Sequence, residues 1–276
     1  MTLLSALTVP APGTTGAVWL VGAGPGDAEL LTLKALRAIE QATVVVVDRL
    51  VSDEVLALIP STTPCIDAGK APGRHGMKQQ DINRLLVDLA CAGHRVVRLK
   101  GGDPFIFGRG GEEMLALQRA GISCRVVPGI TAAAGCAAST GIPLTHRECA
   151  QSVQFITGHG KNGAPALDWD ALRDPRQTLV FYMGLTWCAE LSRGLMDNGR
   201  AAHTPVAIIE NGTRAGQRVL LTTLEGLART VAREKPVSPS LLVVGEVVNL
   251  CRLATASQPP GHEAALGTGA TTAYGA

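Results

Sequence analysis

Aromatic side chains are scarce in this sequence, at 3% of 276 residues, and charged ones are few, at 17%. The first shortage argues against a single-stranded nucleic-acid platform, which stacks bases on aromatic rings. The near balance of charge, net +2, argues the same way, because binding a polyanion takes a large cationic excess. No apolar run approaches the roughly 18 residues of a membrane span, and Met1–Pro10 lacks the basic stretch that opens a signal peptide. A cytoplasmic protein with no nucleic-acid and no membrane partner is therefore expected. The cysteines at 65, 91, 124, 136, 149, 188 and 251 include no C-x-x-C pair. They read as reduced thiols acting as small buried hydrophobes. No His and Cys residues share ligand spacing, so no metal is expected.

What is present is a chain that is 46% apolar and carries 32 glycines, long enough for one large or two modest cores. Residues 1–16 are rich in Pro, Gly and Thr and read as a loose arm. From Val18-Trp-Leu-Val21 onward, short apolar strands alternate with helices. Leu30, Leu33, Leu36 and Ile39 recur at helical spacing, with Asp27 or Thr32 as the cap. Val44–Val47 is a continuous apolar run, as in a strand buried on both faces. Ser52–Ile59 reads as an N-capped helix with acids in its first turn, Asp67–Lys78 as a loop without regular structure, and Gln79–Cys91 as a helix closed by Gly93. Strands at Arg95–Leu99 and Cys124–Val127 flank a helix that ends at Gly121, and a helix of small residues follows Pro128. This alternation implies a parallel sheet covered on both faces. Beyond about residue 140 the rhythm changes. Strands near 153–157, 178–182, 206–209, 218–221 and 241–244 accompany only two clear helices, near 186–198 and 224–234. The expected fold class is α/β: an N-terminal α/β domain over 17–137 with a mainly parallel sheet, and a C-terminal α/β domain over 138–253 with a mixed sheet. The active-site cleft is expected between them, and 254–276 is expected to be an unstructured tail.

Two glycine-rich stretches follow strands. Lys100-Gly-Gly-Asp-Pro-Phe-Ile-Phe-Gly-Arg-Gly-Gly-Glu-Glu113 holds five glycines that bring bare backbone within reach of a small ligand. Strand ends of this kind are where open α/β sheets bind. Val21-Gly-Ala-Gly-Pro-Gly-Asp27 invites a dinucleotide reading, and Asp48 lies about twenty residues on. Two details oppose it. Asp27 stands where the third glycine of that fingerprint belongs, putting an acid at the helix start, and Pro25 removes one amide that would cradle phosphate.

Those two stretches occur in order with Leu30-Leu-Thr-Leu33, Asp48-Arg49, Gly69-Lys70 and Pro128-Gly-Ile-Thr-Ala132. The ordered set, over roughly 17–252, resembles the tetrapyrrole (corrin/porphyrin) methylase family. The resemblance implies two α/β domains, usually in a homodimer, with S-adenosyl-L-methionine bound between them and S-adenosyl-L-homocysteine left as product. Implied cofactor contacts are Pro25, Gly101, Gly102, Asp103, Ile106, Thr131 and Ala132, with Met183 and Gly212 from the second domain. The implied substrate is uroporphyrinogen III, methylated at C2 and C7 to give precorrin-2 by way of precorrin-1. The Phe105–Glu113 continuation is closer to the family's first-step members than to those acting later in corrin synthesis. Cobalamin, sirohaem and haem d1 pathways all remain open as destinations. A nicotinamide-dependent oxidoreductase and a non-catalytic tetrapyrrole carrier are the readings from other classes.

The chemistry so implied needs two reactants aligned, water excluded and a proton handled. The acceptor's many carboxylates call for cations that do not titrate, a task suited to the planar guanidinium fork. Arg49, Arg74, Arg109, Arg147 and Lys161 all fall in predicted loops. Arg109 and Arg49 are the expected carboxylate clamps, Arg109 being nearest the chemistry because it shares a loop with Gly101–Ile106. His159 is a candidate substrate contact. Glu112 is a candidate either for substrate or for anchoring Arg109. By resemblance, Asp48 is the proton acceptor and Lys70 the donor.

Overall fold

The computed structural model of the protein describes residues 16–69, 77–160, 163 and 165–251. Strands β1 (Ala17–Gly22), β2 (Val44–Val47), β3 (Cys65–Asp67), β4 (Arg95–Lys100) and β5 (Ser123–Val127) form an all-parallel sheet in the order β3-β2-β4-β1-β5. The four valines of β2 are all buried. Val44 and Val46 face the core built with α3 (Gln79–Cys91) and α4 (Gly110–Arg119). Val45 and Val47 face α1 (Leu33–Glu40) and α2 (Asp53–Leu56) on the other side. A strand buried on both faces has no polar side to present, which is why its sequence reads as an uninterrupted apolar run.

Both candidate caps for the first helix act, on successive turns. Asp27 accepts from the Glu29 amide and opens a short 3-10 turn, while Thr32 accepts from the Ala35 amide and opens α1. The break between them corrects the expected leucine stripe. With the helix beginning only at Leu33, its buried face is Ala35, Ala38 and Ile39, and Leu33 is 72% exposed. The helix expected over 52–59 is also shorter. Ser52 caps it, but it ends at Leu56, where the approach of Pro60 disfavours helical geometry at Ile59. Strand β3 has no counterpart among the sequence expectations. Its three residues at the sheet edge bury only Ile66, too short a run for a period to register. The cysteines need correction too. No disulfide joins them, but only Cys136 and Cys188 are buried, whereas Cys65 on the edge strand and Cys91 in the last turn of α3 are exposed.

The second sheet is mixed. Strands β6 (Ser152–Thr157), β7 (Gln177–Tyr182), β8 (Pro205–Glu210), β9 (Arg218–Thr223) and β10 (Ser240–Val244) run in the order β6-β7-β10-β8-β9, parallel only between β6 and β7. Leu179, Phe181, Ile208 and Leu242 pack with α6 (Cys188–Asp197) and α7 (Leu227–Glu234) on one face. The other face, with Val180, Ile209 and Val243, packs against Ala133 and Cys136 of α5 (Ala132–Thr140). The small side chains of α5 let it lie close to the second sheet while its N-terminal end stays at the loops of the first. The expected combination of one parallel and one mixed sheet is what the protein has.

Candidate active site

In the parallel sheet, the chain leaves β1 toward one edge and crosses from β4 over β1 to β5 at the other. The C-terminal ends of β1 and β4 therefore part at a topological switch point, the usual crevice for ligands in such sheets. Both glycine-rich stretches begin there, and their backbones are zipped together. The Gly102 amide donates to the Gly24 carbonyl at 2.6 Å, and the Ala23 amide donates to Lys100 at 2.7 Å. Gly102 has φ 66, a left-handed conformation glycine adopts without strain. Asp103 closes the crevice from the side, its two carboxylate oxygens accepting from the amides of Phe105 (2.8 Å) and Gly129 (3.1 Å). The amide at the start of the first helical turn is taken by Asp27, at 2.8 Å. A pyrophosphate would have to displace that carboxylate, which removes the support for a dinucleotide site.

Three connected compartments open from this crevice. The first is a cavity of about 430 Å³ between the two sheets, in the size range of small-ligand pockets. Pro25, Arg49 and Ala132 line it from one side, and His159, Met183 and Gly212 from the other. A connecting space of about 150 Å³ runs past Gly101, Gly102, Asp103, Ile106 and Thr131 to Asp48. Beyond Asp48 and Phe107 lies a polar compartment of about 390 Å³. Among the described residues four cations line it, Arg49, Arg98, Lys100 and Arg109, against Asp48 as the one acid, a balance that favours anions.

The cofactor-side residues expected from the sequence thus line the first two compartments, Asp48, Arg49 and Arg109 line the polar one, and His159 lines only the first. Among the described residues Asp48 forms no ion pair with Arg49 or any other cation. Glu112 does not line the compartments. It accepts two bonds from Arg109, at 2.7 and 2.8 Å, and this contact holds its carboxyl below the usual range. Of its two expected roles, anchoring Arg109 is the one the geometry favours. Arg147 lies exposed in the turn closed by His146 and Ala150. Lys70, Arg74, His75 and Lys161 fall outside the described residues.

Sequence reasoning missed Tyr182, whose ring lines the first two compartments. Its hydroxyl accepts from the Ala133 amide at 3.0 Å, lies 2.6 Å from the Thr131 hydroxyl, and keeps its proton because burial raises its pKa. The ring also meets Phe107 at 4.8 Å between centroids, joining the two halves across the cavity. Nothing in a β-strand ending in tyrosine announces this. Arg98 and Lys100 were missed as well, though a signal existed: they stand two apart, hence on one face, in a strand whose other residues after Arg95 are apolar. Left-handed backbone was invisible too. Phe107, Arg109 and Met183, all non-glycine with φ between 51 and 59, line the compartments, and Asn211 and Thr213, at 48 and 66, flank Gly212 of the first. Each costs on the order of 1 kcal/mol, and such strain gathers at binding sites.

Residues 17–228 match the family described as Tetrapyrrole (Corrin/Porphyrin) Methylases. The chain belongs to that family. It is 54% identical over 235 residues to a siroheme synthase of Pseudoalteromonas translucida, covering 85% of this chain and 50% of that protein. Against siroheme synthase 3 of Aeromonas hydrophila the identity is 56% over 252 residues, 91% of this chain and 53% of the other. The chain therefore spans about half the length of the curated relatives it matches. Among solved structures, it resembles the uroporphyrin-III C-methyltransferase of Thermus thermophilus complexed with S-adenosylhomocysteine. The identity there is 41% and the TM-score 0.74, over 85% of this chain and all of that one.

Proposed function

We propose that the protein methylates uroporphyrinogen III at C2 and C7, with S-adenosyl-L-methionine as donor, to give precorrin-2 by way of precorrin-1. The observation that carries this is the continuity of a mainly apolar, glycine-edged cavity with a cation-lined compartment, in a member of the tetrapyrrole methylase family. The cavity fits the donor: Met183 and Ile106 offer packing surface for a flat base, while the bare backbone at Gly101 and Gly102 offers amides and carbonyls to polar ends. When bound, the donor supplies an electrophilic methyl group on a sulfonium centre.

The protein's own residues hold, align and shield. Pro25, Thr131, Ala132 and Gly212 shape the donor side. Arg49 and Arg109 clamp carboxylates of the acceptor, and His159 contacts it near the donor side. Asp48, at the junction of the donor and acceptor compartments, is assigned the proton that the methylated carbon loses. Lys70 is assigned the donor role on family resemblance. A homodimer in the cytoplasm, with sirohaem as the destination named by its relatives, belongs to the same proposal, and cobalamin and haem d1 remain as other destinations.

Incubation with enzymatically made uroporphyrinogen III and methyl-labelled donor tests the reading. Two labelled methyl groups per tetrapyrrole are expected, and an unlabelled tetrapyrrole would overturn it. Tyr182→Phe probes the donor side separately. Losing the hydroxyl leaves the Ala133 amide without its acceptor, which is expected to lower stability by about 1 kcal/mol. Because that amide fixes the start of α5, S-adenosylhomocysteine affinity should fall several-fold. Calorimetric titration reads this, and an unchanged affinity would place Tyr182 outside the site.

A further inference from the structure

The floor of the polar compartment holds an incomplete charge cluster. Arg98 and Lys100, both at 3% side-chain exposure, share one oxygen of the fully buried Glu113, at 3.0 and 3.1 Å. Gln79 donates to that same oxygen at 3.3 Å. Two cations thus converge on one carboxylate whose other oxygen, Oε2, is buried with no partner among the described residues. The Lys100 ammonium carries three protons and places one on Glu113, and Arg98 places one more, weakly, on the Val46 carbonyl at 3.4 Å. The remaining donors have no partner among the described residues, yet both side chains line the compartment. Burying cations is costly unless paired anions and hydrogen bonds answer them. Asp48 is within electrostatic reach of Lys100 but forms no ion pair with it.

We infer that Lys100, together with Arg98, receives a carboxylate of the tetrapyrrole acceptor on the floor of the polar compartment, where Glu113 holds both cations in place. This rests on the function proposed above and adds a subsite deeper than the exposed Arg49 and Arg109. The division of labour is physical. Rim arginines are half in water, where an ion pair contributes little. A charge-assisted bond to a nearly buried ammonium contributes more. Glu113 is a positioning residue, reaching the acceptor only through the cations it holds.

The site also titrates in a distinctive way. Burial and the neighbouring Arg98 push the Lys100 ammonium below its ordinary pKa, while Glu113 and Asp48 hold it up. Among the described residues, the groups around the cluster are Asp48 after β2, Arg98 on the same strand, Gln79 from α3, Glu112 and Glu113 from α4, Cys124 from β5 beside Glu113, and the compartment's Arg49 and Arg109. Among these Lys100 is the cation that loses its charge on the alkaline side. Cys124 is raised to about 11 by burial and stays a thiol. Acceptor affinity should therefore decline as pH rises through the Lys100 pKa.

The test uses the full chain and uroporphyrin III, the air-stable oxidised acceptor, with its octamethyl ester as a carboxylate-free control. Lys100→Met is expected to weaken uroporphyrin III binding about tenfold and to leave S-adenosylhomocysteine binding unchanged. Lys100→Arg should keep affinity near neutral pH and move the alkaline decline upward, an effect a purely structural lysine would not produce. Unchanged uroporphyrin III affinity in a cooperatively folded Lys100→Met variant overturns the proposal. So does an equal loss of ester binding. Should Lys100→Met fail to fold, the alkaline decline decides: if it stays where the wild type has it in Lys100→Arg, the proposal fails. A wild-type protein that binds no uroporphyrin III fails the functional reading itself, and the subsite with it.

Discussion

Gly22→Ala is expected to dismantle the site and to cost the fold about 3 kcal/mol. A methyl group built on Gly22 falls 2.5 Å from the Gly129 nitrogen, 2.6 Å from its Cα and 2.7 Å from the Gly102 carbonyl oxygen. All three are backbone atoms, so no side chain can swing aside to make room. Gly22 ends β1, Gly102 follows β4 and Gly129 follows β5, which makes this the point where three strand-end loops meet. Separating them stretches the Gly102–Gly24 bond and the Asp103 clasp on Gly129 together. Denaturant unfolding should show the loss of stability, and S-adenosylhomocysteine titration should show little or no binding. As a contrast, Gly111→Ala, which places its methyl group in open space inside α4, should be neutral or slightly stabilising by helix propensity. Were both variants to behave alike, close backbone approach at Gly22 would not be what shapes the crevice.

The expected strands of both sheets recur in the fold because each signal was local and strong. Four consecutive valines admit one reading, and a glycine-rich loop directly after an apolar strand marks a strand end whatever lies around it. What escaped depends on partners distant in sequence. Strand β3 exists because β2 offers it an edge. Tyr182 gains its role from Thr131 and Ala133, some fifty residues away. The burial of Arg98 and Lys100 is decided by Glu113 on the following helix. In the sequence, Glu113 stands beside Glu112 as though the two were equivalent. They are not, since Glu113 is fully buried beneath two cations while Glu112 lies on the surface with Arg109. The helical period separates adjacent residues by about 100°, so neighbouring acids can face core and solvent. The left-handed residues escaped for a related reason, because their neighbours, not their own side chains, impose the conformation.

Arg109→Ala is expected to lower kcat/KM for uroporphyrinogen III by about 100-fold, the equivalent of losing two charge-assisted hydrogen bonds to a carboxylate. Stability should hardly move. The Arg109 side chain is 56% exposed, and its pairing with Glu112 spans a single helical turn at the surface, where such pairs contribute little. Its backbone, at φ 59, is in fact unfavourable for any residue with a Cβ. An arginine that strains the start of α4 and adds little to the fold, held by Glu112 at the polar compartment, is what the proposed acceptor clamp requires. Three further variants separate the contributions. Arg109→Gly should fold more stably than Arg109→Ala, because it relieves the strain, yet be equally impaired in turnover. Arg109→Lys keeps charge but loses the fork, and should recover only part of the activity. Glu112→Gln leaves the guanidinium in place but less well held, so its effect should be the smallest of the set. S-adenosylhomocysteine affinity should stay level throughout, since Arg109 does not line the cavity proposed for the donor. Steady-state kinetics with unfolding measurements on the same preparations decide it: a kcat/KM that survives Arg109→Ala removes Arg109 from the acceptor side.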